Sequence, residues 1–218
     1  MPNNPDILSI FLSLTKVSQK WTNYFDVYTQ YLSPYINKSC NLLEIGVENG
    51  GSLDLWNQYL GSSCNIYAID INPSVLNHQY SFPVNITIGD QADPLFLEKF
   101  IEKTPPFDVI IDDGGHMMNQ QINSLFYLFP HLKSPGIYIV EDTHTSYWKN
   151  YGGGLYNSNS FIEKSKLLID LLNRQHFPLS PTNLEIIFRD LHSIQFLNSL
   201  VIFEKKTYQE SKTIYNHH

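Results

Sequence analysis

The chain has 218 residues, 42% of them hydrophobic and 14% aromatic, which suits one globular domain with a substantial core and excludes a disordered segment. Its formal charge of -7 argues against a generic basic surface for nucleic acid or anionic lipid, and no Lys/Arg-rich run supplies a local one. The only cysteines, Cys40 and Cys64, are too few for a disulfide scaffold or a cysteine-based zinc site and suit a reducing compartment. Met1 is followed by Pro-Asn-Asn-Pro-Asp rather than a basic and apolar leader, and no run of about 18 apolar residues occurs. A cytoplasmic protein without a membrane partner is therefore expected.

In chain order, Ile7, Ile10, Phe11 and Leu14, and then Tyr24, Val27, Tyr28 and Tyr31, recur at helical spacing. They predict amphipathic helices over 6–18 and 21–33, the second closed by Pro34. Strands then alternate with helices: a strand over 41–47, a helix capped by Ser52, strands over 65–71 and 84–90, and a helix over 94–103. A strand over 105–113, a helix over 120–131 and a strand over 134–142 entered through Pro135-Gly136 follow. After the Gly152-Gly153-Gly154 loop comes a helix over 161–173, and then apolar runs at 184–190, 193–199 and 200–206. Asn198-Ser199 turns one strand back on another. The pattern predicts a single α/β domain: a Rossmann-like, doubly wound, mostly parallel seven-stranded sheet with an antiparallel C-terminal hairpin. Residues 1–38 would form an N-terminal helical cap, 39–206 the core and 207–218 a tail.

The stretch E-I-G-V-E-N-G-G (44–51) falls at the first strand-to-helix turn, where small residues let the backbone approach a ligand in the crevice outside the strand ends. It matches neither the dinucleotide fingerprint nor the P-loop. Glu44 there disfavours a pyrophosphate and suits a sulfonium or ammonium group. Taken alone, the stretch also fits a simple turn carrying surface acids. Asp70 ends the second strand and can accept hydrogen bonds from both ribose hydroxyls of an adenosine-containing cofactor. Gly89, Asp90, Gln91 and Ala92 end the third, with Asp90 and the Gln91 and Ala92 backbone within reach of an adenine edge. Singly, Asp70 and Asp90 fit helix caps equally well; at successive strand ends they outline one adenosine pocket.

These segments resemble the class I S-adenosylmethionine-dependent methyltransferases. E-I-G-V-E-N-G-G is similar to their first motif, I-D-I (69–71) to their ribose motif and I-G-D-Q-A (88–92) to their adenine motif. K-W-T-N-Y-F (20–25), L-E-I-G-V-E-N-G-G-S-L (43–53), I-G-D-Q-A-D (88–93), I-D-D-G-G-H (111–116), V-E-D-T-H-T-S-Y-W (140–148) and Y-G-G-G (151–154) narrow the resemblance. Over about residues 16–205 the chain resembles the metal-dependent sugar O-methyltransferases of macrolide and related natural-product pathways, and cephalosporin-hydroxylase-like proteins share part of the pattern. The macrolide-sugar enzymes carry a further N-terminal domain that this sequence does not match. The resemblance implies S-adenosylmethionine and Mg²⁺ as cofactors. It implies cofactor contacts from Tyr24, which would donate to the cofactor's carboxylate, and from Glu44, Gly46, Asn49, Gly50, Ser52, Asp70, Ile71, Gly89, Asp90, Gln91, Ala92 and Asp112. Lys20 and Trp21 would reach over the cofactor's methionine end.

Asp112 and Asp113 end the fourth strand, and Glu141 and Asp142 end the fifth. In a parallel sheet these are neighbouring rims of one crevice, so Asp113, Glu141 and Asp142 can converge. Three hard oxygen ligands without a cysteine suit Mg²⁺, which would hold two adjacent substrate oxygens and lower the pKa of the one to be methylated. Helix capping and solvated loop charge are the alternative. By resemblance Asp113 rather than Asp112 is the ligand, and Asp112 faces the cofactor or the backbone. His116, three residues after Asp113, is placed to take the hydroxyl proton as general base, the role the resemblance also implies. His144 is a substrate-side or a structural histidine. Tyr147 and Trp148, beside the glycine hinge, are candidates for the wall of a sugar site or for a packed loop.

The expected activity is S-adenosylmethionine- and Mg²⁺-dependent O-methylation of a hydroxylated small molecule, a glycoside or polysaccharide, with no nucleic-acid partner and with homo-oligomerisation left open. A non-catalytic cofactor binder and an oxygenase of the cephalosporin-hydroxylase type are the alternatives. Iron(II) oxygenase sites take two histidines and one carboxylate, which this acid-rich set does not supply cleanly.

Overall fold

The computed structural model describes residues 5–176 and 183–216. Residues 1–4, on which the expectation of no leader rests, and the last two positions of the 207–218 tail lie outside the described residues. β1 (Cys40–Ile45), β2 (Cys64–Asp70), β3 (Val84–Ile88), β4 (Phe107–Asp112), β5 (Leu132–Val140), β6 (Leu191–Leu197) and β7 (Leu200–Lys205) make one sheet. Its order is β3-β2-β1-β4-β5-β7-β6. β1 to β5 run parallel, whereas β7 pairs antiparallel with both β5 and β6. The expected doubly wound sheet and C-terminal hairpin are both present.

Alternating side chains divide the core between the two faces. Leu42, Ile66, Ala68, Val109, Ile111, Ile139 and Ile202 pack beneath α1 (Ile7–Ser13), α2 (Tyr24–Leu32) and α3 (Gly51–Leu60). Leu43, Ile45, Ile69, Ile110, Tyr138, Val140 and Phe203 face the other layer, which includes α4 (Pro94–Ile101), α5 (Met118–Leu128), α6 (Phe161–Leu167) and α7 (Ile169–Leu172). Phe188, following α8 (Asn183–Ile187), is fully buried in this second layer. Trp56 and Tyr28 meet edge to face at 5.0 Å in the first layer, each fully buried. Burying an aromatic of that size contributes on the order of 2–3 kcal/mol. Cys40 and Cys64 are buried free thiols at register-matched positions of β1 and β2. No helix among the described residues is long and apolar enough to cross a membrane.

Several boundaries differ from those the periodicity predicts. The first helix ends at Ser13 rather than 18, because Leu14 turns extended at φ -62°, ψ 141°. The second begins at Tyr24 rather than 21, so residues 14–23 form a strap without regular structure. Ser52 does not cap α3. Gly50, left-handed at φ 78°, takes that position, and the Ser52 hydroxyl donates inward to Glu44 at 2.9 Å. Pro135-Gly136 lies inside β5, next to the irregularity in its pairing with β4, rather than ahead of it. The helix expected over 161–173 breaks at Leu168.

Parallel strands that end together create the crevice. Beyond the last paired residues the backbone keeps bonding: Asp113 N–H donates to Ile45 O at 2.9 Å and Glu141 N–H to Asp112 O at 2.9 Å. The turn after β1 then folds back at Gly46, φ 95°, with its α-carbon face inside contact distance of the Asp113 carbonyl. A methyl group there meets backbone and cannot be accommodated by a rotamer change. Gly46→Ala is therefore expected to cost at least about 2 kcal/mol of stability, read as a lowered urea midpoint; an unchanged midpoint would show that the 113–114 backbone yields freely.

Candidate active site

The crevice outside β1, β2, β4 and β5 is a cavity of about 690 Å³. One side is lined by Gly46, Val47, Glu48, Asp70, Ile71, Gly89 and Asp90, and the acid side by Asp113, His116, Glu141, Asp142 and His144. Ser52, Gln91 and Tyr24 also reach its wall. One opening thus receives most of the residues singled out from the sequence.

Asp70 holds the Gly-rich turn in place. Its Oδ2 accepts from Val47 N–H at 2.8 Å and Glu48 N–H at 3.2 Å, and its Oδ1 accepts from Asn72 N–H at 2.7 Å. A carboxylate offers about four lone-pair sites, so acceptor capacity toward the cavity remains. Asn49 and Gly50 do not line the cavity. Positive φ at Gly46, Glu48 and Gly50 turns Val47 and Glu48 inward and the next two residues outward. Ala92 does not line it either: its N–H donates to Asp90 Oδ1 at 2.8 Å and its carbonyl accepts from Asn123 at 2.8 Å.

Glu44 and Asp112 lie beneath the floor, fully buried or nearly so. Burial pushes both carboxyls up to about 7, against Lys20 at Glu44 and against Gln91 at Asp112. Gln91 is the bridge between two loops. Its Nε2 donates to Asp112 Oδ1 at 2.9 Å and to Ser124 Oγ at 3.0 Å, while its Oε1 accepts from Gly115 N–H at 3.0 Å. Gly114 lies so close to that amide that a side chain there would displace it.

The acid side is organised around a lysine absent from the expected ligand set. The Lys20 ammonium lies 2.5 Å from Asp113 Oδ2 and 2.9 Å from Glu141 Oε2, with its side chain 1% exposed. Burial disfavours its charge, but Asp113, Glu141 and Glu44 outweigh that and raise its pKa well above the ordinary lysine value. Glu141 is pushed up to about 8 by burial, in spite of Lys20. Its Oε1 accepts from the buried Tyr28 hydroxyl at 2.6 Å, and its carbonyl accepts from Gln121 at 2.9 Å. Lys20, Tyr28 and Gln121 are thus site residues that the spacing of acids did not single out; Lys20 alone falls within a quoted motif.

Asp113, His116 and Asp142 bring ligand atoms within 4.8 Å of one another, and they form the one such group among the described residues. His116 Nε2 is 3.9 Å from Asp113 Oδ1 and 3.7 Å from Asp142 Oδ2. Both His116 (φ 57°) and Asp142 (φ 52°) are left-handed, a conformation that costs a non-glycine residue on the order of 1 kcal/mol and clusters at functional sites. Thr145 anchors this corner by donating to the His116 carbonyl or to that of Asp142, at 3.0 and 2.9 Å. Tyr24 does not point its hydroxyl at a free space for a cofactor carboxylate. That hydroxyl accepts from Asp142 N–H at 3.0 Å and lies 2.7 Å from Asp142 Oδ1 and 2.9 Å from Ser199 Oγ.

His144 shares a hydrogen bond of 2.5 Å between its Nδ1 and Ser199 Oγ, and its ring meets Trp21 and Trp148 edge-on at 5.9 and 4.6 Å. Trp21 reaches the cavity and donates to Asp142 at 3.1 Å. Tyr147 and Trp148 stand outside the cavity lining, about half exposed, on the rim beyond His144.

This sheet order, with its cavity at the strand ends, is the fold of the class I methyltransferases. Within that class the chain is similar to sugar O-methyltransferases. It is 31% identical over 188 residues to the demethylmacrocin O-methyltransferase of Streptomyces fradiae, covering 81% of this chain and 46% of that protein. It is 29% identical over 211 residues to the 8-demethyl-8-alpha-L-rhamnosyl tetracenomycin-C 2'-O-methyltransferase of Streptomyces olivaceus, covering 89% and 54%. Among solved structures, the MycE methyltransferase from the mycinamycin biosynthetic pathway, in complex with Mg, SAH and mycinamycin VI, superimposes with a TM-score of 0.81. That match has 28% identity and covers 94% of this chain and 54% of MycE. The chain spans about half the length of the curated relatives it matches. No family model matches the sequence.

Because Asp112 is buried and faces Gln91 rather than the cavity, Asp112→Asn should leave cofactor affinity within about twofold. The folded carboxyl is raised from 3.8 to about 7, so burial penalises its ionised form and wild-type stability falls as pH rises from about 4 through about 7. Asp112→Asn should thus raise the melting temperature at pH 8 and lose that advantage towards pH 4; a gain of equal size at both pH values would refute the ionisation argument.

Proposed function

We propose that the chain is an S-adenosylmethionine-dependent O-methyltransferase whose acceptor is a hydroxyl of a glycosylated small molecule. One observation carries the reading: an imidazole, His116, and two carboxylates, Asp113 and Asp142, converge on the rim of the cavity whose far side is built from Gly46–Glu48, Asp70 and Gly89–Asp90. A methyl donor seated on the far side would aim its sulfonium at the carboxylate rim. The net negative wall favours that cation.

Transfer requires the acceptor oxygen in line with the methyl group and relieved of its proton. His116 Nε2, 3.9 Å from Asp113 and 3.7 Å from Asp142, is the atom placed to accept it, and a positioned base contributes about 10² to 10⁴ in rate. The imidazolium so formed would be stabilised by the two adjacent carboxylates. A divalent cation fits here, since hard carboxylate oxygens of Asp113 and Asp142 converge and the Lys20 ammonium already lies between Asp113 and the neighbouring Glu141. Asp113 and Asp142, with Glu141, would hold Mg²⁺, which when bound lowers the pKa of a coordinated hydroxyl and orients it. MycE was solved with Mg, SAH and mycinamycin VI, which supports both cofactors here. Trp21, His144 and Trp148 offer apolar ring surface at the mouth, suited to the face of a sugar.

An iron(II) oxygenase reading is weaker. The converging ligand atoms come from one histidine, His116, and two carboxylates rather than the reverse.

Calorimetry with S-adenosylmethionine should give saturable binding, and labelled cofactor with a panel of glycosides should give methyl transfer. His116→Ala should retain cofactor affinity while the transfer rate falls by about 10² to 10⁴. Binding without transfer to any acceptor would favour the non-catalytic reading, and full activity in His116→Ala would remove the imidazole from the mechanism.

A further inference from the structure

The strap over residues 14–23 crosses the cavity on its way from α1 to α2, and Val17, Ser18, Gln19, Lys20 and Trp21 line the opening. It is pinned on both sides of Lys20. On one side Gly51 admits the Lys16 and Val17 carbonyls so closely that a Cβ there would lie 2.9 and 2.7 Å from them. The Lys16 ammonium pairs with Asp54 at 3.1 Å and lies 3.5 Å above the Tyr80 ring. On the other side the Trp21 indole donates to Asp142 at 3.1 Å. Between these pins Lys20 reaches inward to Asp113 and Glu141.

The bridging position of that ammonium has a consequence for metal loading. A divalent ion shared by Asp113 and Glu141 would take oxygens at about 2.0–2.1 Å if it is Mg²⁺, and the Lys20 nitrogen already sits between the same oxygens. Both cations cannot hold the position together, since like charges at that spacing repel strongly in a dry site. Emptying the position is also unfavourable, because Asp113 and the buried Glu141 would lose the charge and the hydrogen bonds that Lys20 gives them. Lysine suits an exchange: its charge sits on a flexible four-carbon stem, and here the stem starts from backbone outside any helix or strand.

We propose that Lys20 is a tethered counter-ion that holds the cation position until a divalent ion displaces it, so that metal loading frees the middle of the strap over the cavity. The proposal rests on the metal-dependent reading above. Lys20 is a positioning residue in this scheme: it keeps Asp113 and Glu141 in place for the metal and sets the affinity with which the metal is taken.

The test is an Mn²⁺ titration of the full chain by electron paramagnetic resonance, without acceptor, for wild type, Lys20→Met and Lys20→Gln. It is paired with amide exchange over residues 15–22 of the wild type. Removing the competing ammonium should tighten Mn²⁺ binding at least about tenfold in both variants, and saturating Mn²⁺ should lower exchange protection of the wild-type strap. Equal or weaker binding in the variants, or bound Mn²⁺ with unchanged strap protection, overturns the role of Lys20 and leaves the metal reading standing. No Mn²⁺ binding in any of the three proteins overturns the metal reading and this proposal with it. If Lys20→Met fails to fold, Lys20→Gln and the wild-type exchange measurement decide the matter.

Discussion

Carboxylates gathered at the ends of neighbouring parallel strands need a positive charge among them, and that constraint orders the rest of the structure. Glu141 is 1% exposed and Glu44 fully buried, so burial disfavours the charged form of both and a nearby cation opposes that. The Lys20 ammonium is that cation among the described residues. To deliver it, the chain interrupts its helical start at Ser13 and runs an irregular strap across the crevice before resuming at Tyr24. The strap therefore serves both electrostatics and coverage of the cavity.

The sheet provides the precision. Continued backbone bonding beyond the strand ends fixes Asp113 against β1 and Glu141 against β4, so the two acids are placed by main chain rather than by long side chains. Left-handed backbone at His116 and Asp142 then turns the imidazole and the carboxylate toward each other. Tyr24, Tyr28, Gln121 and Thr145 hydrogen-bond to the side chains and carbonyls of this corner. Side chains locked in this way lose little further freedom when a ligand arrives, which is the physical meaning of a preorganised site.

The fold was legible in the sequence because alternation of strands and helices follows from local periodicity, and the antiparallel hairpin from a turn dipeptide. The strand-end acids were legible because a carboxylate that closes an apolar run marks the point where a buried strand emerges into the crevice. What escaped has a common cause: it depends on side-chain direction. Ser52 stands where a helix cap is expected and instead turns down to Glu44. Gln91 stands where its backbone could meet an adenine edge, yet its side-chain amide ties two loops together. Tyr24 is engaged by Asp142 and Ser199, on elements more than a hundred residues away. Lys20 lies 93 residues before Asp113, and no spacing rule links positions so far apart.

The Gln91 amide has a consequence for how this protein can vary. Because its nitrogen meets a carboxylate and its oxygen meets a backbone N–H, only one orientation of the amide works, and the flipped form would oppose like groups at both ends. The space it fills is the space a side chain at position 114 would need. A side chain at position 114 therefore requires the Gln91 amide to move, and with it the hydrogen bonds to Asp112 and Gly115. The Gln91 amide thus joins the loop after β3 to the loop that carries His116, so a change that disturbs one is felt by the other although the sequence separates them.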